Sequence, residues 1–428
     1  LESKNNTSYP TRRLTNGPKH HFFGFHDLCP WSSDRRYVIS LQTNFIDRPP
    51  VYSDKAVVGV IDLNEDCKFK EIATTNAWNF QQGARQQWFP KNEREIIYND
   101  LLNDRFCSIK INIETLEKEI FECPIYAIHP NGEYGLGINF ERLYETGGYG
   151  YDSQKKNTSF VNIPDNDGIF RIDFSTGEKK LVISISDVAK TGNYDISKTK
   201  NHFLSHITFN PNGSRIAFCH RYWAEDGGSP IRLCTSNTDG TDLHIFPITV
   251  THFNWLNSNR ILAFGRNRPW ISKIRSHNVF SLPIFRQLLT LIRKTRSHVR
   301  QQLVGDRYFL LTDKEKITES IGIGILADDG HPMPSPNERF FVTDTYADSE
   351  HYRQLIVYDL NKKAKHIIGN YYSLPSKENF KELNWDESAM RSDLHPRWNK
   401  EGTQICIDSV HEGTRQIYIV DVEDLVSI

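Results

Sequence analysis

The chain has 428 residues, with 52 Lys and Arg set against 53 Asp and Glu, and a net charge of −1 at pH 7. That balance supplies no global field to hold a polyanion, so no nucleic-acid partner is expected. Seven cysteines stand singly without a CxxC pair, which argues against a disulfide scaffold or zinc ribbon, and no stretch is apolar for long enough to make a transmembrane segment.

The 25 Phe, 18 Tyr and 8 Trp against 2 Met favour strands over helical bundles. In chain order, 9–15 (YPTRRLT) reads as a short strand. One unit then recurs: an aromatic or apolar residue, a tight turn of the Pro-Asn-Gly kind, and an alternating strand. It stands at 31–41 (WSSDRRYVISL), 88–100 (WFPKNEREIIYND), 128–139 (IHPNGEYGLGIN) and 209–220 (FNPNGSRIAFCH). It returns at 255–265 (WLNSNRILAFG), 334–345 (PSPNERFFVTDT) and 398–410 (WNKEGTQICIDSV). A second unit, a strand ending in Asp and a turn, follows most copies, as in 57–63, 168–178, 355–360 and 416–422. Hairpins of this kind at regular spacing predict an all-β fold, a seven-bladed β-propeller forming a single domain over 1–428. The strand at 9–15 is placed to complete the last blade and close the ring, which removes sheet edges.

Two insertions interrupt the rhythm. The first, 140–167, is rich in Gly, Tyr and Asn and reads as a long loop. The second, 266–306, contains FRQLLTLIRKTRSHVRQQL, whose apolar spacing predicts a helical insertion with a basic face. That segment is placed to guide an anionic polymer through its field, or to dock a partner or membrane surface.

Aligning the repeats on their turn puts Arg85, Ile125, His206, His252, His331 and His395 at one register in copies two to seven. Copy one departs, with His21 and His26 offset. In a propeller this register lies near the top opening of the axis. A lone histidine is usually structural, but four converging on one axis suit a divalent metal, whether Ca, Zn or Mn. His252, His331 and His395 are the expected ligands, with Asp393 in support. The ends of the second strands add Asn139, Arg142, His220, Arg221, Tyr222, Asp344, Tyr346, Asp408 and His411. This rim of His, Arg and Tyr suits an acidic sugar, because Arg pairs bidentately with carboxylates and aromatic faces stack on sugar rings. Expected substrate-binding residues are Arg85, Gln87, Tyr149, Tyr151, Tyr222 and Trp223.

The runs CPIYAIHPNGEYGLGINFERL, GGYGY and HFLSHITFNPNGSRIAFCHRYW resemble the propeller-fold polysaccharide lyases. So do DGHPMPSPNERFFVTDTY and SDLHPRWNKEGTQICIDSVHEG. The nearest types are ulvan lyases and seven-bladed rhamnose–glucuronate lyases, with oligogalacturonate lyases more distant. The likeness extends over nearly all blades. Its turns are generic to propellers, and its His-bearing segments are more specific.

The resemblance implies β-elimination at a uronate in an acidic poly- or oligosaccharide. It makes Arg142 and Arg221 carboxylate neutralisers, and Tyr126, His206 and His220 the acid–base candidates. One region departs. Where those lyases place histidines around blade two, this chain reads NFQQGARQQW and IIYND, offering Gln81, Gln82, Arg85, Gln87 and Asn99. A non-catalytic glycan-binding propeller and a metal-dependent glycan hydrolase therefore stand as alternatives. No Gly-rich phosphate loop or GxSxG elbow points to nucleotide or serine-hydrolase chemistry. The chain is expected to be a monomer. Its start at Leu1 without Met reads as a removed leader, hence secreted or periplasmic.

Overall fold

The computed structural model describes residues 8–146, 149–151, 160–191, 194–225, 228–266, 305–316, 318–373 and 391–427. A short strand, β1 (Thr11–Arg13), precedes the ring. Blade one is β2 (His20–Phe22), β3 (Tyr37–Thr43), β4 (Ala56–Asp62) and β5 (Lys68–Thr75). Blade two is β6 (Gln87–Trp88), β7 (Glu95–Leu102), β8 (Arg105–Asn112) and β9 (Lys118–Phe121). Blade three is β10 (Ala127–Ile128), β11 (Tyr134–Gly137), β12 (Gly168–Asp173) and β13 (Lys179–Ser184).

Blades four and five share a strand. After β14 (Thr199–Phe209), β15 (Arg215–Ala224) and β16 (Ile231–Asn237), the long β17 (His244–Trp255) pairs first with β16 and then with β18 (Arg260–Arg266). β19 (Asp306–Thr312) and β20 (Thr318–Ile321) complete blade five. Blade six is β21 (Met333–Pro334), β22 (Phe340–Asp344), β23 (Tyr352–Asp359) and β24 (Ala364–Tyr372). Blade seven is β25 (Arg397–Trp398), β26 (Gln404–Ser409) and β27 (Gln416–Asp421), and its fourth strand is β1. Thr11 lies opposite Val420 and Arg13 opposite Tyr418, so the N-terminal strand closes the ring as the sequence predicts.

Strand alternation explains how the ring packs. Successive side chains leave opposite faces of a blade, so each blade feeds both neighbours. Val38 packs with Cys406, Ile417 and Ile419 of blade seven, while the adjacent Ile39 packs with Ile96 and Tyr98 of blade two. Phe340 and Val342 meet Ile405 and Ile407 of blade seven, and Phe341 between them meets Leu262 and Phe264 of blade five. The remaining interfaces are built in the same way, giving one apolar cluster per blade junction. β3 and β22 are accordingly buried at every residue, whereas outer β9 exposes three of its four.

The stretch 140–167, expected as a loop, begins with a helix, α1 (Phe140–Glu145). Asn139 caps it, its side-chain oxygen accepting the Arg142 backbone N–H at 3.0 Å, and this local cap outweighs the loop-like composition that follows. Two further short helices, α2 (Ile185–Lys190) and α3 (Glu423–Val426), flank the strands. The helical insertion expected at 266–306 falls almost wholly outside the described residues. Among the described residues no helix is long and apolar enough to cross a membrane.

Candidate functional site

The shared register has a backbone cause. Arg85, His206 and His395 have φ of 53°, 57° and 44°, left-handed values uncommon for residues other than glycine. The ladder also slips between Ser205 and Thr208, and between Val250 and His252. Such a bulge re-aims one side chain out of the alternating pattern, here toward the axis instead of the neighbouring blade. Left-handed non-glycine residues cost about 1 kcal/mol or more and concentrate at functional sites.

His206, His252, His331 and His395 do converge, and His26 joins them. Its ring centroid lies 5.7, 5.4, 5.3 and 6.0 Å from those four in that order. His331 is 4.4 Å from His252 and 4.5 Å from His395. The sequence register missed His26 because blade one interrupts its inner strand between β2 and Trp31 with a loop. Gly24 turns that loop with φ 103°, where a Cβ would meet the Gln82 carbonyl oxygen at 2.9 Å. The signal lay in the Phe25-His26-Asp27 run just before Trp31, offset from the other copies.

The rings are held from one side. Nδ1 of His206 meets Ser205 Oγ at 2.8 Å, that of His252 meets Asp329 at 2.9 Å, and that of His331 meets Asp344 at 2.8 Å. His395 Nδ1 donates to the Gly24 carbonyl at 2.9 Å, which leaves its Nε2 unprotonated. That Nε2 and both ring nitrogens of His26 are buried without a hydrogen-bond partner among the described residues. Burial first, and then the neighbouring imidazoles and guanidinium groups, hold His26 and His206 well below the usual histidine range. Burial likewise lowers His395. These rings are neutral at pH 7. Burial opposes charge on His331 too, but Asp344 leaves it above its ordinary value.

Two buried carboxylates order this layer. Asp344 accepts the His331 backbone N–H at 2.8 Å and those of Leu394 and His395 at 3.1 and 3.3 Å. Asp393 pairs with Arg353 at 2.7 Å and Arg391 at 2.9 Å. Although burial penalises the Asp393 carboxylate, the two guanidinium groups keep it ionised far below the usual carboxylate range. Ligand atoms of His331, Asp393 and His395 all lie within 4.8 Å of one another. Two imidazoles and a carboxylate, each steadied by an outer partner, form a donor set that fits a divalent transition metal.

The mouth above this layer is aromatic and basic. Tyr149 stands 6.4 Å from His206 and 5.5 Å from Phe25, ring to ring. Tyr346 stands 6.0 Å from His331, with the Arg391 guanidinium 4.6 Å over its ring. Arg221, half-buried, lies close enough to His206 to depress its protonation, and has no carboxylate partner among the described residues. Its Nε is buried and has no hydrogen-bond partner among the described residues.

Other predicted residues are committed to protein contacts. Arg85 grips Asp27 at 2.7 and 2.9 Å and lies 3.8 Å over the Tyr126 ring. Gln87 donates to the Arg85 and Tyr126 carbonyls at 3.0 and 3.2 Å. Tyr126 is fully buried, and its hydroxyl accepts the His206 backbone N–H at 3.1 Å, so these three residues support His206 from behind. Arg142 points into a separate cavity of about 490 Å³, paired with Asp167 at 2.7 Å. Tyr151 stacks on Phe140 at 4.4 Å and accepts from Asn99 at 2.8 Å. Trp223 donates to the Thr146 carbonyl at 3.2 Å. His220 and Tyr222 belong to a second cluster around His202. Asp408 is bound by Arg415 at 2.8 Å, and His411 by Ser409 at 2.9 Å.

No family model matches the sequence, and no curated protein does. Among solved structures, an oligogalacturonate lyase in complex with manganese superposes over 100% of this chain and 96% of its own, with TM-score 0.63 and 14% identity. An oligogalacturonate lyase from Vibrio parahaemolyticus does so over 99% and 96%, with TM-score 0.60 and 14% identity. What is shared is the fold. Neither is an ulvan lyase or a rhamnose–glucuronate lyase, the types that the sequence resembles first.

Proposed function

We propose that this chain is a lyase that cleaves a uronate-containing oligosaccharide by β-elimination. The observation that carries the reading is Arg221: a guanidinium without a carboxylate partner among the described residues, beside the neutral His206 and the axial His–Asp layer. Two solved lyases of the same fold support it, one of them in complex with manganese.

In this reading Arg221 takes the uronate carboxylate in its fork, drawing charge toward it and acidifying the proton at C5. His206 suits the base, since a neutral imidazole has the lone pair the step needs and Tyr126 fixes its backbone. The C5–H electrons form the C4–C5 double bond as the C4–O4 bond breaks, and the leaving oxygen takes up a proton without consuming water. Tyr346, kept protonated chiefly by burial and 6.0 Å ring to ring from His331, is the phenol suited to that transfer. His331, His395 and Asp393 would hold a divalent cation, with imidazole donors favouring Mn or Zn over Ca. Such a cation would supply Lewis acidity for stabilising negative charge on the substrate.

The test is ultraviolet absorbance of the purified chain with oligogalacturonate, ulvan, rhamnose-capped glucuronate glycans and glycosaminoglycans. A rise from the unsaturated uronate, lost in Arg221→Ala, is expected on at least one of them. New reducing ends without that chromophore indicate a hydrolase, and retention of glycan with neither signal indicates a binding propeller.

A further inference from the structure

Six arginines are buried among the described residues, and five of them have an aspartate in contact. Arg85 pairs with Asp27, Arg142 with Asp167, Arg215 with Asp313, Arg353 with Asp393 and Arg415 with Asp408, each at 2.7 or 2.8 Å. Arg397, on β25, is the exception. It is 2% exposed, and its Nε and Nη2 are both buried without an acceptor among the described residues. These two N–H groups share one edge of the guanidinium, so they point at a common position.

The nearby groups do not neutralise it. Asp27 and Asp344 are the carboxylates whose fields act most strongly on Arg397. Asp27 is already held on both oxygens by Arg85. Asp344 is taken by His331 and by the Leu394 and His395 N–H groups. Of the six, Arg397 is thus the guanidinium with no ion pair among the described residues and with two buried N–H groups open on one edge. A buried guanidinium edge without an acceptor is costly, and an anion seated on both N–H groups compensates it best.

We propose that the open edge of Arg397 holds a small inorganic monoanion of halide size in the axis, between the histidine layer and the turn end of the blades. A cavity of about 270 Å³ at that end is lined by Cys29, Trp31, Trp88, Met333 and Trp398 among others, the last of them next to Arg397 in the chain. The Trp31 indole N–H bonds the Arg397 carbonyl at 3.4 Å, which ties the cavity wall to the site. The anion is structural and does not depend on the lyase reading.

Crystals of the full chain soaked in bromide and measured at the bromine edge decide the matter. An anomalous peak within hydrogen-bond distance of both Arg397 Nε and Nη2 is expected, and a map with peaks only elsewhere, at Arg221 for example, overturns the proposal. In solution, exchanging gluconate for chloride at constant ionic strength should raise Tm by about 1–3 °C. Arg397→Met should abolish that rise. Because the bromide map uses the unaltered chain, the outcome stands even where this variant fails to fold.

Discussion

Blade four carries two histidine groups on the same pair of strands, and they are built in opposite ways. On one side, Arg232 donates to His220 Nδ1 at 3.0 Å, which places the His220 proton on Nε2. That proton goes to His202 Nδ1 at 3.0 Å, His202 Nε2–H goes to Thr199 Oγ1 at 2.8 Å, and Thr199 donates to the Ile196 carbonyl at 2.6 Å. Tyr222 stacks on His202 at 5.1 Å and on Tyr194 at 4.8 Å. Every ring nitrogen has a partner. On the other side, His206 and Arg221 face the axis, where His26, His395 and Arg221 keep buried nitrogens without one among the described residues. A closed polar network stabilises a fold, whereas buried groups left open mark where something else binds.

The contrast is sharpest in paired variants. Arg221→Ala should lower kcat/KM by about 100-fold or more while Tm moves little, because its guanidinium makes no hydrogen bond or ion pair among the described residues. His220→Ala should do the reverse, destabilising the chain by about 2–4 kcal/mol in urea unfolding while turnover per folded molecule stays within a few-fold. If His220→Ala abolishes turnover without loss of stability, the two groups have been assigned the wrong way round.

Metal binding comes next in size. Manganese in large excess over its Kd should stabilise the chain by about 2–3 kcal/mol, and elemental analysis should find one ion per chain. His395→Ala should lose both, while His202→Asn should keep both.

The closed network also predicts a pH dependence. Burial lowers His202 to about 4 and His220 well below its ordinary value, so both are neutral when folded but protonate near 6.5 when unfolded. The unfolded chain therefore binds more protons below pH 6.5, and stability falls as pH drops from there toward about 4. His202 alone should contribute on the order of 2 kcal/mol of loss by pH 5, and His202→Asn should flatten the acid limb of the unfolding curve accordingly. An unchanged limb would mean that the pair is not held neutral. The smallest effect is expected from Tyr151→Phe, which leaves the Asn99 amide short of one acceptor and should cost about 1 kcal/mol with activity intact.

The parts of the fold that the sequence made legible are those fixed by neighbours in the chain. A turn such as Pro211-Asn212-Gly213 followed by the alternating β15 is a local pattern, and seven such copies give seven blades. The closing role of β1 was readable because the last blade lacked a strand. The histidine register was legible for the same reason, since the bulges recur at a constant distance from the turn.

Partner identity was not legible. Nothing local distinguishes Arg142, paired with Asp167, from Arg221, whose guanidinium faces the axis without a carboxylate among the described residues. Nor does it separate His220, inside a closed network, from His206, fourteen residues earlier on the paired strand. His26 entered the axial layer through a loop that breaks the repeat, and Asp344 and Asp393 gained their roles from blades six and seven meeting at the axis. The sequence by itself determined the ring, because alternation and turns act over a few residues. Only the tertiary structure decided which polar side chains are satisfied and which stay open, because their partners lie tens to hundreds of residues away in the chain.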